Sequence, residues 1–340
     1  MATIKDIAQK LGVAPSTVSK GLNGASDISQ ELRQAVLDTA IEMGYVTKRM
    51  KKEEHKKLCI FIENMEYKNV DDFGYDLILG FKQAALRDNW DVCVVPVTNE
   101  LQKTERFDNY MLGCGYSGAF LLGFTLQEPW MQQLQRTKIP CVLLDNYIER
   151  NPNVAYVGTD SYEGIDLAIE HLKALGHKRI AFLNGEPNSM VSAHRHQAFL
   201  ESMVAHRLDV HPELIAFGYY VSDCAKYHVP NFLSKGATAI VCGSDLIAFG
   251  VMEECRNEGF RIPEDVSVIG FDDLPSASLC DPPLTTIRQD RLDLGKDSYA
   301  ALSWLLNKVS ISKSLLRAEL VIRSSTGVPS LEVHDSVSLS

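Results

Sequence analysis

Apolar residues near the start of the chain recur at helical spacing. Ile4, Ile7, Ala8 and Leu11 share one face, and the pattern stops at Gly12. The run Gly12-Val13-Ala14 predicts a tight turn, and Pro15-Ser16-Thr17 opens a second short helix reaching to about Asn23. Proline suits a first helical position because it has no N–H to lose there and its φ is already helical. Ala8, Val13 and Val18 are small or β-branched where two helices would cross steeply, so they predict a miniature core. The second helix then presents Ser16, Thr17, Ser19, Lys20 and Asn23, with Thr3 just ahead of the first helix. Short hydrogen-bonding groups and one cation suit a helix lying in a DNA major groove. The pattern predicts a helix-turn-helix.

From Leu58 the rhythm changes to short apolar runs alternating with amphipathic stretches. Strands are predicted at 58–62, 91–97, 118–122 and 141–145, then at 179–185, 213–217, 238–243 and 266–273. Helices are predicted at about 74–88, 101–112, 161–175, 192–206, 244–258 and 290–307. Near-continuous apolar strands separated by helices imply an α/β fold of doubly wound parallel sheets, covered on both faces. So many strands exceed one comfortable open sheet, which predicts two lobes with ligands beyond the carboxyl ends of the strands. Between head and body, KRMKKEEHKK (48–57) has nothing to bury and reads as a linker.

Composition narrows the class. The 340 residues are 45% apolar and 23% charged, which is globular, and no apolar run approaches the length of a membrane span. Net charge is −10 but uneven: residues 1–60 carry +3 and the remainder −13, a mildly basic head on an acidic body. The eight cysteines show no C-x-x-C pair, and several, including Cys59, Cys93 and Cys242, sit in apolar runs. With no signal-peptide pattern, they read as buried thiols of a cytoplasmic protein. There is no G-x-S-x-G elbow, no phosphate loop and no G-x-G-x-x-G after a strand, so enzyme readings are weak. His194 and His196 alternate on a helix and cannot share one metal ion, and His171 and His177 read as surface and helix-end chemistry. No metal or cofactor is expected.

Several strand ends finish in polar residues. Asp145 closes CVLLD, Asp245 follows IVCGS and Asp272-Asp273 closes VIGFDD, while Arg195 follows the loop GEPNSMVSAH. Carboxylates and a guanidinium near aromatic rings suit a sugar, whose hydroxyls pair with charges and whose C–H face stacks on a ring. The alternative role of a strand-end acid is a helix N-cap or a lobe-stabilising pair, and for Asp245 it weighs equally, since a helix follows directly.

T-I-K-D-I-A, then G-V and S-T-V-S-x-x-L-N, resembles the opening of the lactose-repressor/galactose-repressor family of bacterial transcription regulators. SQELRQAVLDTAIEMGY resembles that family's third helix, and PEDVSVIGFDD…PPLTTIRQD resembles its far downstream signature. The resemblance implies a helix-turn-helix domain at 1–46, a linker or hinge at 47–57, a polar tail at 331–340 and, between them at 58–330, a two-lobed core like a periplasmic binding protein. It divides that core into an N-lobe of about 58–157 and 288–318 and a C-lobe of about 158–287 and 319–330. It implies a homodimer on a pseudo-palindromic operator, controlled by a small-molecule effector, most simply a sugar, between the lobes. Arg195 in SAHRHQAF and Asp272 in GFDD match the family's effector-binding positions, with Asp245, Asp145 and Asp160 added by their surroundings. Asp72, Phe73 and Tyr75 in VDDFGY, and Tyr219 or Tyr220 in FGYYVSD, are the remaining candidates, Tyr220 preferred.

Two departures stand out. Where the family carries P-N-x-x-A-x-x-L, a hinge helix whose leucine wedges into the minor groove, this chain has Thr47-Lys48-Arg49-Met50-Lys51-Lys52-Glu53-Glu54. Either the hinge helix is absent or Met50 substitutes at a shifted register, and phosphate contacts by Lys48, Arg49, Lys51 and Lys52 carry more of the binding. Pro15-Ser16 also replaces a longer hydrogen-bonding pair, which shifts base reading to Ser16, Thr17 and above all Lys20. A binding protein or sugar-processing enzyme is the competing class, and it leaves the helix-turn-helix unexplained.

Overall fold

The computed structural model describes residues 3–22, 25, 27–43, 45 and 56–330. It divides into two compact units: Met1–Met65, Ile78–Val157 and Gly295–Ser314 form the first, and Glu66–Leu77, Gly158–Leu294 and Leu315–Ser340 the second. Residues 66–77, 288–294 and 315–318, assigned above to the N-lobe, thus group with the second unit.

The first unit begins with three helices, α1 (Ile4–Leu11), α2 (Pro15–Leu22) and α3 (Gln30–Glu42). Thr3 caps α1 in a reciprocal box: Asp6 N donates to Thr3 Oγ1 at 3.3 Å and Thr3 N to Asp6 Oδ2 at 2.8 Å. Gly12 ends α1 with φ 66, the left-handed turn that an L side chain resists. Ile7, Ala8, Val18, Val36, Ala40 and Tyr45 are buried together, with Val13 only partly covered.

The unit's sheet runs β11-β5-β4-β3-β1-β2 and is formed by β1 (Lys56–Ile62), β2 (Trp90–Pro96), β3 (Gly118–Leu122), β4 (Cys141–Leu144), β5 (Val154–Thr159) and β11 (Lys313–Leu316). The pairs from β5 through β2 are parallel. Its helices are α4 (Phe73–Arg87), α5 (Asn99–Thr104), α6 (Phe107–Cys114), α7 (Pro129–Leu134) and α12 (Arg291–Leu306). One helix expected at 101–112 is thus two. Glu105 takes an extended backbone, φ −119 and ψ 133, and its carbonyl accepts from Trp130 Nε1 at 2.8 Å. Phe61 anchors the core, fully buried edge-on to Trp130 at 5.1 Å and to Phe107 at 6.0 Å. Cys59 is buried, but Cys93 on the edge strand β2 is exposed, against expectation.

The second unit's sheet runs β12-β10-β9-β8-β6-β7, from β6 (Ile180–Asn184), β7 (Ile215–Phe217), β8 (Ala239–Cys242), β9 (Ser267–Asp272), β10 (Thr285–Arg288) and β12 (Glu319–Val321). It is parallel except for the β10–β12 pair. Its helices include α8 (Ser161–Leu175), α9 (Met190–Ala205), α10 (Ala225–Ser234) and α11 (Asp245–Asn257). Every residue of β6, β8 and β9 is buried, which is why their sequences show no polar alternation. His177 is not a surface group. It is 2% exposed and joins three segments, its Nδ1 at 2.9 Å from Thr238 Oγ1 and its Nε2 at 3.0 Å from Ser267 Oγ and 2.9 Å from Gly327 O. Among the described residues no helix is long and apolar enough to cross a membrane.

Phe61→Ala should remove the centre of the first unit's aromatic cluster and destabilise it by about 3–5 kcal/mol. Urea denaturation checks this, with the folded baseline of the circular dichroism spectrum unchanged.

Candidate functional site

The face offered by α2 is polar and accessible. Ser16 and Lys20 are exposed, and Thr17 and Ser19 are half-buried. Thr3 is occupied with capping, its Oγ1 also donating to Asp6 Oδ2 at 2.7 Å. The Lys20 ammonium meets the Asp27 carboxylate, and that contact holds Asp27 below the usual carboxylate range. Asn23, Lys48, Arg49, Lys51 and Lys52 lie outside the described residues. The far side of this three-helix group meets the body of its unit. Asp38 on α3 pairs with Arg106 Nη1 at 2.8 Å, and Lys138 Nζ donates to Glu42 O at 3.1 Å.

A second polar assembly lies at the carboxyl end of the second unit's sheet. Arg195, on α9, is 3% exposed. Its guanidinium lies 3.7 Å from the centroid of the Phe271 ring, and Nη1 donates to Gly243 O at 2.6 Å. Its Nε has no hydrogen-bond partner among the described residues. Asp272, closing β9 with φ 132, accepts from Gln289 Nε2 at 2.7 Å, and Gln289 Oε1 is left without a partner. Next to it, Asp273 is clamped by Arg288 Nε at 2.7 Å and Arg323 Nη2 at 2.5 Å, so its role is structural.

Tyr220 adopts φ 56 and turns its ring onto Gly185. A Cβ at 185 would stand 2.0 Å from the ring, so any side chain there would push the Tyr220 ring aside. The Tyr220 hydroxyl is 2.7 Å from Ser192 Oγ, and Asn184 Nδ2 holds Ser192 O at 2.7 Å. Tyr219, by contrast, is 68% exposed.

Other candidates have their oxygens in use by the fold. Asp245 is fully buried, with Oδ1 accepting from Thr286 Oγ1 at 2.6 Å and Oδ2 from Leu274 N at 2.7 Å. It is not the N-cap of α11; Ser244 is, accepting from Ile247 N at 3.2 Å. Burial first, then the Asp272 charge, push the Asp245 carboxyl up to about 7. Asp160 is the N-cap of α8, accepting from Tyr162 N at 3.0 Å and Glu163 N at 3.1 Å. Asp72 closes its own loop through Lys68 N and Asn69 N, each at 2.7 Å. Phe73 and Tyr75 are half-buried in the first turn of α4. Asp145 stands in the first unit with φ 52, just past β4.

Gln289 and Phe271 escaped the sequence reading although both lie within runs quoted there. A neutral amide and a strand-interior phenylalanine carry no charge signal. The assembly offers an open donor, an open acceptor, a carboxylate and a ring, which is the equipment for a small polar molecule. No group of three His, Cys, Asp or Glu among the described residues is placed to hold a metal ion.

Comparison with known proteins supplies the context. Residues 3–48 match the family described as bacterial regulatory proteins, lacI family, and residues 169–326 a periplasmic binding protein-like domain. The HTH-type transcriptional repressor CytR of Escherichia coli K12 is 28% identical over 333 residues, 96% of each chain. The repressor PurR of Actinobacillus pleuropneumoniae serotype 3 is 28% identical over 94% of this chain and 95% of its own. Among solved structures, the Lac repressor dimer bound to operator and the anti-inducer ONPF superposes with a TM-score of 0.69 at 25% identity, covering 96% of this chain and 99% of the other. The regulator CelR in its cellobiose complex shares the fold, with a TM-score of 0.71 at 24% identity over 96% of this chain and 100% of the other.

Asp245 generates a prediction with a defined sign. Its folded carboxyl holds its proton up to about 7, against 3.8 ordinarily, so the folded state binds more protons across that window. Its contribution is fully present below the ordinary value and is lost as pH rises through about 7. Asp245→Asn should therefore reduce the loss of stability between about pH 5 and about pH 8 by up to about 3 kcal/mol. Urea denaturation at the two pH values checks it.

Proposed function

The chain belongs to the lactose/galactose-repressor family of bacterial transcription regulators, and from that premise we propose that it is a homodimeric cytoplasmic repressor whose hold on operator DNA is set by a small sugar-like effector. The family is one of DNA-binding regulators, not enzymes. The Lac repressor neighbour is a dimer seen on its operator with a small anti-inducer, and the same division of labour is proposed here.

In this reading α2 enters the major groove. Ser16, Thr17, Ser19 and Asn23 supply short polar contacts, and Lys20 leaves Asp27 for a guanine. Lys48, Arg49, Lys51 and Lys52 in the linker contact phosphates. Two heads related by the dimer axis read two half-sites.

The observation that carries the effector reading is Arg195. A guanidinium this buried ordinarily has all its donors met, and the open Nε leaves a place for a ligand acceptor. Asp272, Gln289 and Tyr220 complete the proposed set, the first two taking ligand hydroxyls and the last offering ring edge and hydroxyl. The effector can shift operator binding only by as much as its affinity differs between two states of the protein.

Arg195→Ala should weaken effector binding by about 10- to 150-fold, the range for losing a charged hydrogen bond, while leaving operator affinity without effector unchanged. Calorimetry on the compound found by a thermal-shift screen of sugars and nucleosides, with gel shifts on a selected operator, reads both. A response that survives Arg195→Ala refutes the assignment. On the DNA side, Lys20→Ala should reduce discrimination at one base pair by about 1–3 kcal/mol. Lys51→Ala should instead weaken all sequences alike and lower the salt slope by about 1.

A further inference from the structure

The first unit holds a cavity of about 610 Å³ at the carboxyl end of its sheet, a size ordinary for small-molecule sites. Its walls come from the loop after β3, from α7 and the turn beyond it, and from the loop after β4. Such folds take ligands beyond the carboxyl ends of their parallel strands. Met131 and Ile148 are buried and, with the half-buried Tyr147, give the cavity an apolar wall. Leu126 at its lip is 42% exposed, an apolar side chain that the fold leaves uncovered.

Charge gathers on the same lining. Arg136 and Arg150 are both exposed, and neither side chain makes an ion pair or hydrogen bond among the described residues. The Lys313 ammonium, 4.5 Å from the centroid of the Tyr147 ring, adds a third cation beside them. Glu149 is the acid of the lining. Three cations against one acid run counter to the body of the chain, which carries −13 beyond residue 60.

The two arginines are set in place by one buried amide. Asn151, 9% exposed, donates from Nδ2 to Leu134 O at 2.7 Å and to Thr137 O at 3.0 Å. The residue after Arg150 is thus bound to the carbonyls on either side of Arg136. Asn153 N returns to Asn151 Oδ1 at 3.0 Å, and Arg150 itself takes φ 62, a conformation that L side chains resist. Arg136 and Arg150 therefore flank the cavity before any ligand arrives.

We propose that this cavity binds an aromatic carboxylate, its ring on the apolar wall and its carboxylate between Arg136 and Arg150. The proposal is independent of the effector reading, since the cavity and Lys313 lie wholly in the first unit and Arg195 in the second. A guanidinium offers a carboxylate two parallel donors, which fixes direction as well as charge. The wall selects a ring. A thioether and a phenol both meet aromatic groups well, whereas Met131 and Ile148 have no donor for a sugar hydroxyl. The ring also covers Leu126. Water screens the two charged contacts, so the wall supplies much of the affinity and the arginines the choice of an acid over its neutral analogue.

The test uses the full chain with trans-cinnamate, indole-3-acetate and 1-naphthoate, each against its neutral primary amide, by calorimetry at low and at physiological salt. The expected result is at least one acid binding about tenfold or more tightly than its amide at low salt, with the preference shrinking as salt rises. Arg136→Gln and Arg150→Gln should each weaken the acid about three- to fivefold and leave the amide as it was, and the double variant should lose the preference. Both side chains are exposed and unpaired, so these variants keep the fold. Tyr147→Leu should instead weaken acid and amide alike. Equal binding of acid and amide, a preference that survives the double variant, or no binding by any of the three acids overturns the proposal. So does a preference abolished by Arg195→Ala, which would place the acid in the second unit.

Discussion

The buried guanidinium of Arg195 is the constraint around which the second unit's sheet end is arranged. A charge kept from water must be met from inside, and two groups on different elements do so. The Phe271 ring lies beneath it and Gly243 O accepts from it. Just past Phe271 the end of β9 bends into backbone that L residues resist, φ 132 at Asp272 and 53 at Asp273. Arg288 and Arg323 hold that bend by clamping Asp273, and Gln289 holds Asp272 itself. Asp245, buried next to them, resists ionisation and so does not add a second full negative charge to the group.

The two units answer the same problem with opposite chemistry. The second leaves a donor open, Arg195 Nε. The first leaves acceptors open, Glu63 Oε2 and Asn146 Oδ1. Each unmet buried group costs about 1–3 kcal/mol in a protein with little stability to spare. Their concentration at the carboxyl ends of parallel strands, where such folds take ligands, is what separates them from ordinary packing imperfections.

What the sequence revealed and what it hid divide along physical lines. The helix-turn-helix was legible because turn, proline and apolar spacing are local signals. The central strands were legible because burial on both faces makes them apolar throughout. β11 was not, since KSLL alternates exposed and half-buried, and neither was α10, with Pro230 inside it. Arg195, Asp272 and Tyr220 were reachable through their motifs. Asp160, Asp72 and Asp245 carried the same strand-end or loop signature, yet their oxygens serve a cap, a turn and a β10 hydroxyl, because an acid before backbone N–H groups reads alike whichever partner takes it. The cavity of the first unit was invisible for another reason. Nothing in a sequence tells that Arg136 and Arg150 flank one cavity until Asn151 ties their two loops together.

The contacts of the DNA-reading helices bear on how a ligand signal could reach them. Lys20–Asp27, Lys10–Glu42 and Asp38–Arg106 join groups that are each more than two-fifths exposed, so water and salt screen them strongly. By the same measure, Asp38–Arg106 and the Lys138 bond to Glu42 O are too weak to carry the coupling of about 1–3 kcal/mol that effector control requires. The sequence between head and body, Thr47-Lys48-Arg49-Met50-Lys51-Lys52, carries four cations where the family it resembles carries an apolar wedge.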